Sequence, residues 1–229
     1  MLFGGFEKFT LIDYPGKTAC MVYTMGCPFR CPYCHNPELV NQVCETKIDE
    51  EKVIDFLKSR VGLLDGVVIT GGEPSMHGDN LINFMRRVKL LNFSIKLDSN
   101  GVDPSFLQKV IQENLVDYIA MDIKSPMVKY MQTVNRSVDV EAIRKSIELI
   151  KSSGKDYEFR TTVLDSLLSF DDIDKIGTEI SGAKRYFLQK FVSTKTLNPK
   201  FAKKSTYKDE DFIKMKTLME KYVDFCGIR

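Results

Sequence analysis

Residues 66–74 read Gly-Val-Val-Ile-Thr-Gly-Gly-Glu-Pro, a short apolar run that passes directly into a glycine pair and an acidic residue. The run is too short for a buried helix and rich in β-branched residues, so it predicts a strand. In folds built from alternating strands and helices, ligands bind beyond the carboxyl ends of the strands. We therefore expect Gly71, Gly72, Glu73 and Pro74 to belong to a binding site.

Similar strand patterns recur along the chain and alternate with helical ones. Strands are predicted over 17–25, 94–98, 117–124, 157–164 and 185–192, and helices over 49–60, 79–91, 139–153, 171–180 and 208–225, with a further helix opening at Asp103-Pro104. This strict alternation implies a parallel sheet with right-handed crossovers. A complete eight-unit barrel takes about 250 residues, more than a chain of 229 can supply beside its long loop and N-terminal extension. We predict a single-domain α/β fold, a partial (β/α)6 TIM-like barrel, with an open doubly wound sheet as the alternative.

The chain is expected to have three parts. Residues 1–16 form an N-terminal β extension, joined to the next strand by a type II turn over Tyr14-Pro15-Gly16-Lys17. Residues 17–195 form the barrel, and residues 196–229 a loop and a helix that pack on it.

Composition excludes several classes of protein. The 33 Lys and Arg residues balance 31 Asp and Glu residues, so no basic excess points to nucleic-acid binding. No apolar run approaches the roughly 18 residues of a membrane helix. The N-terminus shows no signal peptide, and a cytoplasmic location is expected.

Three cysteines in one loop indicate metal chemistry. Cys27, Cys31 and Cys34 have the spacing C-x3-C-x2-C, and soft thiolates select zinc or iron–sulfur clusters. A structural zinc needs four ligands; His35 adjoins Cys34 too closely to share a metal easily, and Cys44 would be a distant fourth ligand. A three-cysteine site instead suits a [4Fe–4S] cluster with one iron left open. A zinc-binding module without catalysis is the alternative.

With Tyr33 before its last cysteine, this loop resembles the signature of the radical S-adenosylmethionine (SAM) enzymes. The wider stretches Gly5–Lys17 and Cys34–Leu39 are similar to the activating proteins of anaerobic ribonucleoside-triphosphate reductase, and pyruvate formate-lyase activating enzymes share the Tyr-Cys-His-Asn part. The resemblance implies an enzyme whose three cysteines hold one [4Fe–4S] cluster, with SAM on the open iron. One-electron cleavage would give a 5′-deoxyadenosyl radical that takes hydrogen from a glycine of a partner protein. The implied partners are that reductase, or another glycyl-radical enzyme, and a flavodoxin- or ferredoxin-type electron donor.

The resemblance also implies roles for residues outside the loop. Gly71-Gly72-Glu73-Pro74 matches a motif that binds the methionine amino group, Lys124 would reach the SAM carboxylate, and Tyr33 would lie against the adenine. Further side chains match positions of the SAM pocket: Asp98, Ser99, Asp122, Arg160, Thr162 and Gln189. Asp98 and Asp122 would also suit a monovalent cation. The simpler alternatives are an Asx turn at Asp98 and a surface ion pair between Asp122 and Lys124. A lysine-rich segment, 195–208, is either a solvated loop or a docking surface.

Overall fold

An eight-stranded sheet organises the chain, and the computed structural model describes all of residues 1–229. The strands are β1 (Leu2–Phe3), β2 (Gly5–Thr10), β3 (Ala19–Thr24), β4 (Ile48–Asp49), β5 (Gly66–Gly71), β6 (Ser94–Ser99), β7 (Tyr118–Asp122), β8 (Asp156–Val163), β9 (Tyr186–Lys190) and β10 (Cys226–Ile228). The sheet order is β2-β3-β5-β6-β7-β8-β9-β10. Only β2 runs antiparallel to its neighbour, and β1 pairs with β4 outside this sheet. The first and last strands do not pair with each other, so the barrel stays open.

Eight α-helices connect or flank these strands. They are α1 (Pro37–Asn41), α2 (Glu50–Lys58), α3 (Gly78–Leu90), α4 (Pro104–Gln112), α5 (Tyr130–Val134), α6 (Val140–Ser152), α7 (Phe170–Glu179) and α8 (Asp209–Met219). Side-chain caps begin several of them, as at Asp103, which accepts hydrogen bonds from the amides of Ser105 and Phe106. None of the helices has the length and apolar character needed to span a bilayer.

All the long helices pack on the same face of the sheet. The buried apolar side chains of α2, α3, α4, α6, α7 and α8 belong to one 50-residue core together with alternate strand residues such as Val67 and Ile69. The opposite face carries a separate cluster of six residues: Tyr14, Ala19, Met21, Val68, Tyr118 and Ala120. A doubly wound sheet would have helices on both faces. The one-sided arrangement therefore confirms the partial barrel.

The six-residue cluster closes the interior of the barrel toward the amino ends of the strands. Next to it, the fully buried carboxylate of Glu158 accepts hydrogen bonds from the Tyr118 hydroxyl at 2.8 Å and from both terminal nitrogens of Arg229 at 2.7 and 2.9 Å. The cluster residues and Glu158 expose at most 6% of their surface, so this end of the interior is filled rather than open. We call this region the barrel floor.

The predicted strands and helices are present, with one correction at the C-terminus. The helix predicted over 208–225 ends at Met219, and the chain then forms β10, a seventh parallel strand paired with β9 from Cys226 to Ile228. Three residues are too few to show the alternation that identifies a strand. No sequence pattern indicated α1, α5, β1 and β4. The type II turn is confirmed, since Lys17 donates to the Tyr14 carbonyl at 3.1 Å and Gly16 has φ +71°.

Gly71 and Gly72, at the end of β5, must be glycine because their backbone lies against the backbone of Thr24 and Gly26. Gly71 has φ +117°, and a Cβ there would lie 2.4 Å from the Thr24 nitrogen. A Cβ on Gly72 would lie 2.0 Å from the Gly26 carbonyl oxygen, which accepts a hydrogen bond from the Glu73 amide at 2.7 Å. The two glycines therefore let this segment approach the end of β3 and the start of the cysteine loop.

Replacing Gly72 by alanine should therefore destabilise the fold through a steric clash alone, because Gly72 does not have positive φ. We expect a loss of about 3 kcal/mol or more, since backbone must move. Gly62→Ala is the matched control: Gly62 has φ +76°, and a Cβ added there would meet no atom within 4 Å, so the change should cost only about 1 kcal/mol of backbone strain. Equal shifts of the urea midpoint for the two variants would contradict the packing described.

Candidate active site

An open cavity of about 890 Å³ lies at the carboxyl ends of the parallel strands. Most of the predicted site residues line it: Cys27, Cys31, Tyr33, Cys34, Gly71, Gly72, Glu73, Asp98, Ser99, Asp122, Lys124, Arg160 and Thr162. They come from the cysteine loop and from the ends of β5, β6, β7 and β8.

Two predicted residues lie outside this lining. Pro74 is buried and begins the short 3-10 turn Pro74–His77 behind the cavity wall. Gln189 lies on β9 beside Thr162, whose hydroxyl is 3.5 Å from the Gln189 side-chain oxygen. A direct ligand contact of Pro74 or Gln189 stays a prediction.

The cysteine loop is fixed to the fold through its backbone. Gly26 donates to the Leu39 carbonyl at 2.7 Å, and Arg30 donates to the Val134 carbonyl at 2.8 Å. These bonds tie the loop to α1 and α5. The three cysteine side chains are thereby held on one wall of the cavity before any ligand binds.

The donor set fits an iron–sulfur cluster. Burial raises the pKa of Cys27 to about 12 and that of Cys31 to about 11, so metal binding must release these protons. Cys44 lies on a different cavity and its thiol donates to the Glu38 carbonyl at 3.6 Å. Three thiols around the cavity, with no fourth beside them, suit a cluster that leaves one iron to a ligand.

Tyr33 adds an unsatisfied group to the same wall. Its ring is buried, and its hydroxyl has no hydrogen-bond partner in the chain. Buried hydroxyls are normally paired. The Tyr33 hydroxyl is an exception to this rule in the present structure.

Five charged side chains form a continuous network on the inner face of the sheet. The Arg160 guanidinium donates to Asp122 at 2.8 Å and to Asp98 at 3.3 Å. Lys124 donates to the other oxygen of Asp122 at 2.8 Å, and Lys96 donates to the other oxygen of Asp98. Each of the four carboxylate oxygens therefore accepts from a cation of the chain itself. The predicted monovalent cation would have to displace Arg160, Lys124 or Lys96 from a carboxylate oxygen.

The network stays ionised at neutral pH. Burial disfavours the charged carboxylates, but Arg160 and its neighbouring lysines outweigh burial and lower the pKa of both Asp98 and Asp122. Burial likewise opposes the charge on Lys124, yet Asp122 raises the pKa of that ammonium well above its usual value. Three cations and two anions leave one net positive charge beside the cavity, which suits a ligand carboxylate. The Asp98 carboxylate therefore binds Arg160 and Lys96 and does not form an Asx turn. Asp122 and Lys124 are part of this network and are not an isolated ion pair at the surface.

Glu73 lies in the wall with its carboxylate fully buried. It accepts hydrogen bonds from the Ser99 hydroxyl at 2.8 Å, the Asn100 amide at 2.7 Å and the Ser75 amide at 3.1 Å. Burial nevertheless raises the pKa of Glu73. The residue joins the loop after β5 to the loop after β6, and its predicted contact with an ammonium group stays a prediction.

Two site residues were missed by sequence reasoning. Lys96 precedes Asp98 by two positions on β6, so strand alternation could have placed it on the same face. Asn100, just after β6, donates from its side-chain amide to the Cys27 sulfur at 3.7 Å. Nothing in a single sequence distinguishes that contact from an ordinary turn.

Known proteins share both sequence and fold with this chain. Residues 21–176 match the family model of the radical SAM superfamily. A protein of Methanocaldococcus jannaschii to which glycyl-radical enzyme activation is ascribed is 31% identical over 100% of this chain and 95% of its own length. The pyruvate formate-lyase-activating enzyme of Listeria monocytogenes is 32% identical over 52% of this chain and 51% of its own length. A radical SAM methyltransferase from Sphaerobacter thermophilus shares the fold, with TM-score 0.71 and 15% identity over 96% of this chain and 68% of that one.

Arg160→Met should cost about 2–3 kcal/mol of stability at pH 7, because it leaves one oxygen of each of two largely buried carboxylates without its donor. In the wild type both carboxyls have a lowered pKa, so stability falls as the pH drops below about 4. In the variant the carboxyls protonate more readily, and the difference from wild type should shrink in acid. Urea denaturation of metal-free protein between about pH 3 and 7 measures this.

Arg86→Met is the matched control. Arg86 pairs with Glu113 on the surface, with 45% and 32% of the two side chains exposed, so its loss should cost no more than about 1 kcal/mol. If Arg160→Met lowers the free energy of unfolding no more than Arg86→Met does, the network contributes little to stability.

Proposed function

The chain belongs to the radical SAM superfamily, among the glycyl-radical activating enzymes, and we propose that its protein substrate is anaerobic ribonucleoside-triphosphate reductase. The radical SAM activity is supported by the placement of three thiols on one wall of a cavity whose other wall holds the charged network. The identity of the protein substrate is supported by the similarity of Gly5–Lys17 and Cys34–Leu39 to activators of that reductase.

The residues present match the cofactors of the family. When bound and reduced, the [4Fe–4S] cluster supplies one electron to the SAM sulfonium, and the products are methionine and a 5′-deoxyadenosyl radical. The chain supplies the placement: Cys27, Cys31 and Cys34 would hold the cluster, while Lys124 and Arg160 face the side where a SAM carboxylate would bind. Tyr33 would lie beside the nucleoside.

A protein substrate is consistent with the shape of the site. The barrel floor fills the interior at the amino ends of the strands, and the open cavity lies at their carboxyl ends. The stretch Gly5–Thr10 forms β2, which pairs with the strand leading into the cysteine loop. The segment that most resembles the reductase activators therefore adjoins the site, and a partner must deliver its glycine through the open mouth. A cytoplasmic location belongs to the same proposal, since the thiols must stay reduced.

Cluster binding can be tested by exchanging cysteines one at a time. Anaerobically reconstituted wild-type protein should contain about four irons per chain and form 5′-deoxyadenosine with SAM and dithionite. Cys31→Ala should lose the cluster and at least 99% of this activity. Cys44→Ala should lose neither, because Cys44 lies on a different cavity. Zinc in place of iron in protein prepared without oxygen would contradict the proposal.

The identity of the partner can be tested by electron paramagnetic resonance. With SAM and reductant, the chain should generate a glycyl radical in anaerobic ribonucleoside-triphosphate reductase and at least tenfold less in pyruvate formate-lyase. The reverse preference would leave the activating function intact and show that the assigned substrate is wrong.

A further inference from the structure

The lysine segment, residues 195–208, is the most basic stretch of the chain. It contains five lysines and no acidic residue, whereas the whole chain has an excess of only two basic residues. Lys195 pairs with Glu38 at 2.7 Å. The other four are exposed and have no carboxylate within 4 Å: Lys200, Lys203, Lys204 and Lys208. The four free lysines fall within nine consecutive positions, so this concentration of free positive charge is local.

The backbone of the segment is bonded directly to the cysteine loop. Leu197 donates to the Cys34 carbonyl at 2.8 Å, and Asn198 donates to the Pro32 carbonyl at 2.9 Å. Lys200 follows only two residues later, in the 3-10 turn Pro199–Lys203. The free lysines are therefore presented beside the part of the chain that would hold the cluster.

Contacts at both ends fix the segment in place. Before it, the His35 ring stacks on Phe191 with centroids 5.2 Å apart and planes 12° apart. Near its far end, the Thr206 hydroxyl donates to the Val163 carbonyl at 2.7 Å, and the Tyr207 hydroxyl donates to the Leu168 carbonyl at 2.9 Å. The lysines thus stand on an ordered surface.

A surface of this kind matches a need of the proposed function, on which this inference rests. Each SAM cleavage consumes one electron, which must arrive from outside the chain. We propose that the lysine segment docks a small acidic electron-carrier protein next to the cysteine loop. One electron leaves the reduced centre of the carrier and enters the bound cluster, with no bond made or broken. Complementary charge accelerates such encounters, and this position leaves the cavity mouth to the glycyl-radical enzyme.

The test reverses the charge of three lysines in the holoenzyme, as Lys200→Glu/Lys203→Glu/Lys204→Glu. The probes are flavodoxin and, separately, a two-cluster ferredoxin, each reduced photochemically before anaerobic mixing. Stopped-flow absorbance follows reduction of the cluster. At low salt we expect the rate constant to fall at least tenfold with either carrier, and its dependence on salt to weaken.

The matched control carries the same change of charge elsewhere, as Lys52→Glu/Lys145→Glu/Lys221→Glu. These lysines are exposed and unpaired on α2, on α6 and just after α8, so the control should be reduced within about twofold of the wild-type rate. SAM cleavage with dithionite should be the same in all three proteins. Because that chemical reductant needs no docking, its failure in the wild type would count against the proposed function alone.

Three results would overturn the docking proposal. One is equal reduction of the segment variant and the control by both carriers. Another is that neither carrier reduces the wild-type cluster. The third is a variant that keeps its rate of reduction by the carriers but loses glycyl-radical formation with dithionite, which would assign the surface to the protein substrate.

Discussion

The site depends on one close approach between backbones. Gly71 and Gly72 pass so near the end of β3 and the start of the cysteine loop that no side chain fits between them, and the Glu73 amide donates to the Gly26 carbonyl across the gap. Glu73 then bonds the loop after β6 through Ser99 and Asn100. Three separate segments are thereby fixed to one another, and the thiols take their place on the cavity wall from that framework.

The two faces of the sheet have different roles: one stabilises the fold, and the other carries the charged side chains of the site. The outer face packs against the helices in one large apolar core. The inner face carries charge, and it tolerates charge because Arg160, Lys96 and Lys124 together pair with both oxygens of Asp98 and of Asp122. Since each carboxylate is bonded on both oxygens, the cationic groups that face the cavity are held in position rather than free to turn.

Much of this could be predicted from the sequence, and the failures have identifiable causes. The strands and long helices were predictable because their apolar periods are clear, as in α2 around Val53 and Leu57. The strand β10 was not, because its three residues are stabilised by pairing with β9 and not by their own pattern. The thiols were predictable from spacing alone. The roles of Lys96 and Asn100 come from contacts across the sheet and between loops, which a single chain does not encode locally.

The filled barrel floor has a kinetic consequence. With Glu158, Tyr118 and Arg229 closing one end, small molecules enter and leave by the same opening that a protein substrate would cover. If the protein substrate of the proposed function covers that opening, SAM would have to load before the partner binds, and methionine and the nucleoside would leave after it departs. On that proposal, the closed lower end of the barrel implies an ordered cycle in which the two proteins separate after each turnover.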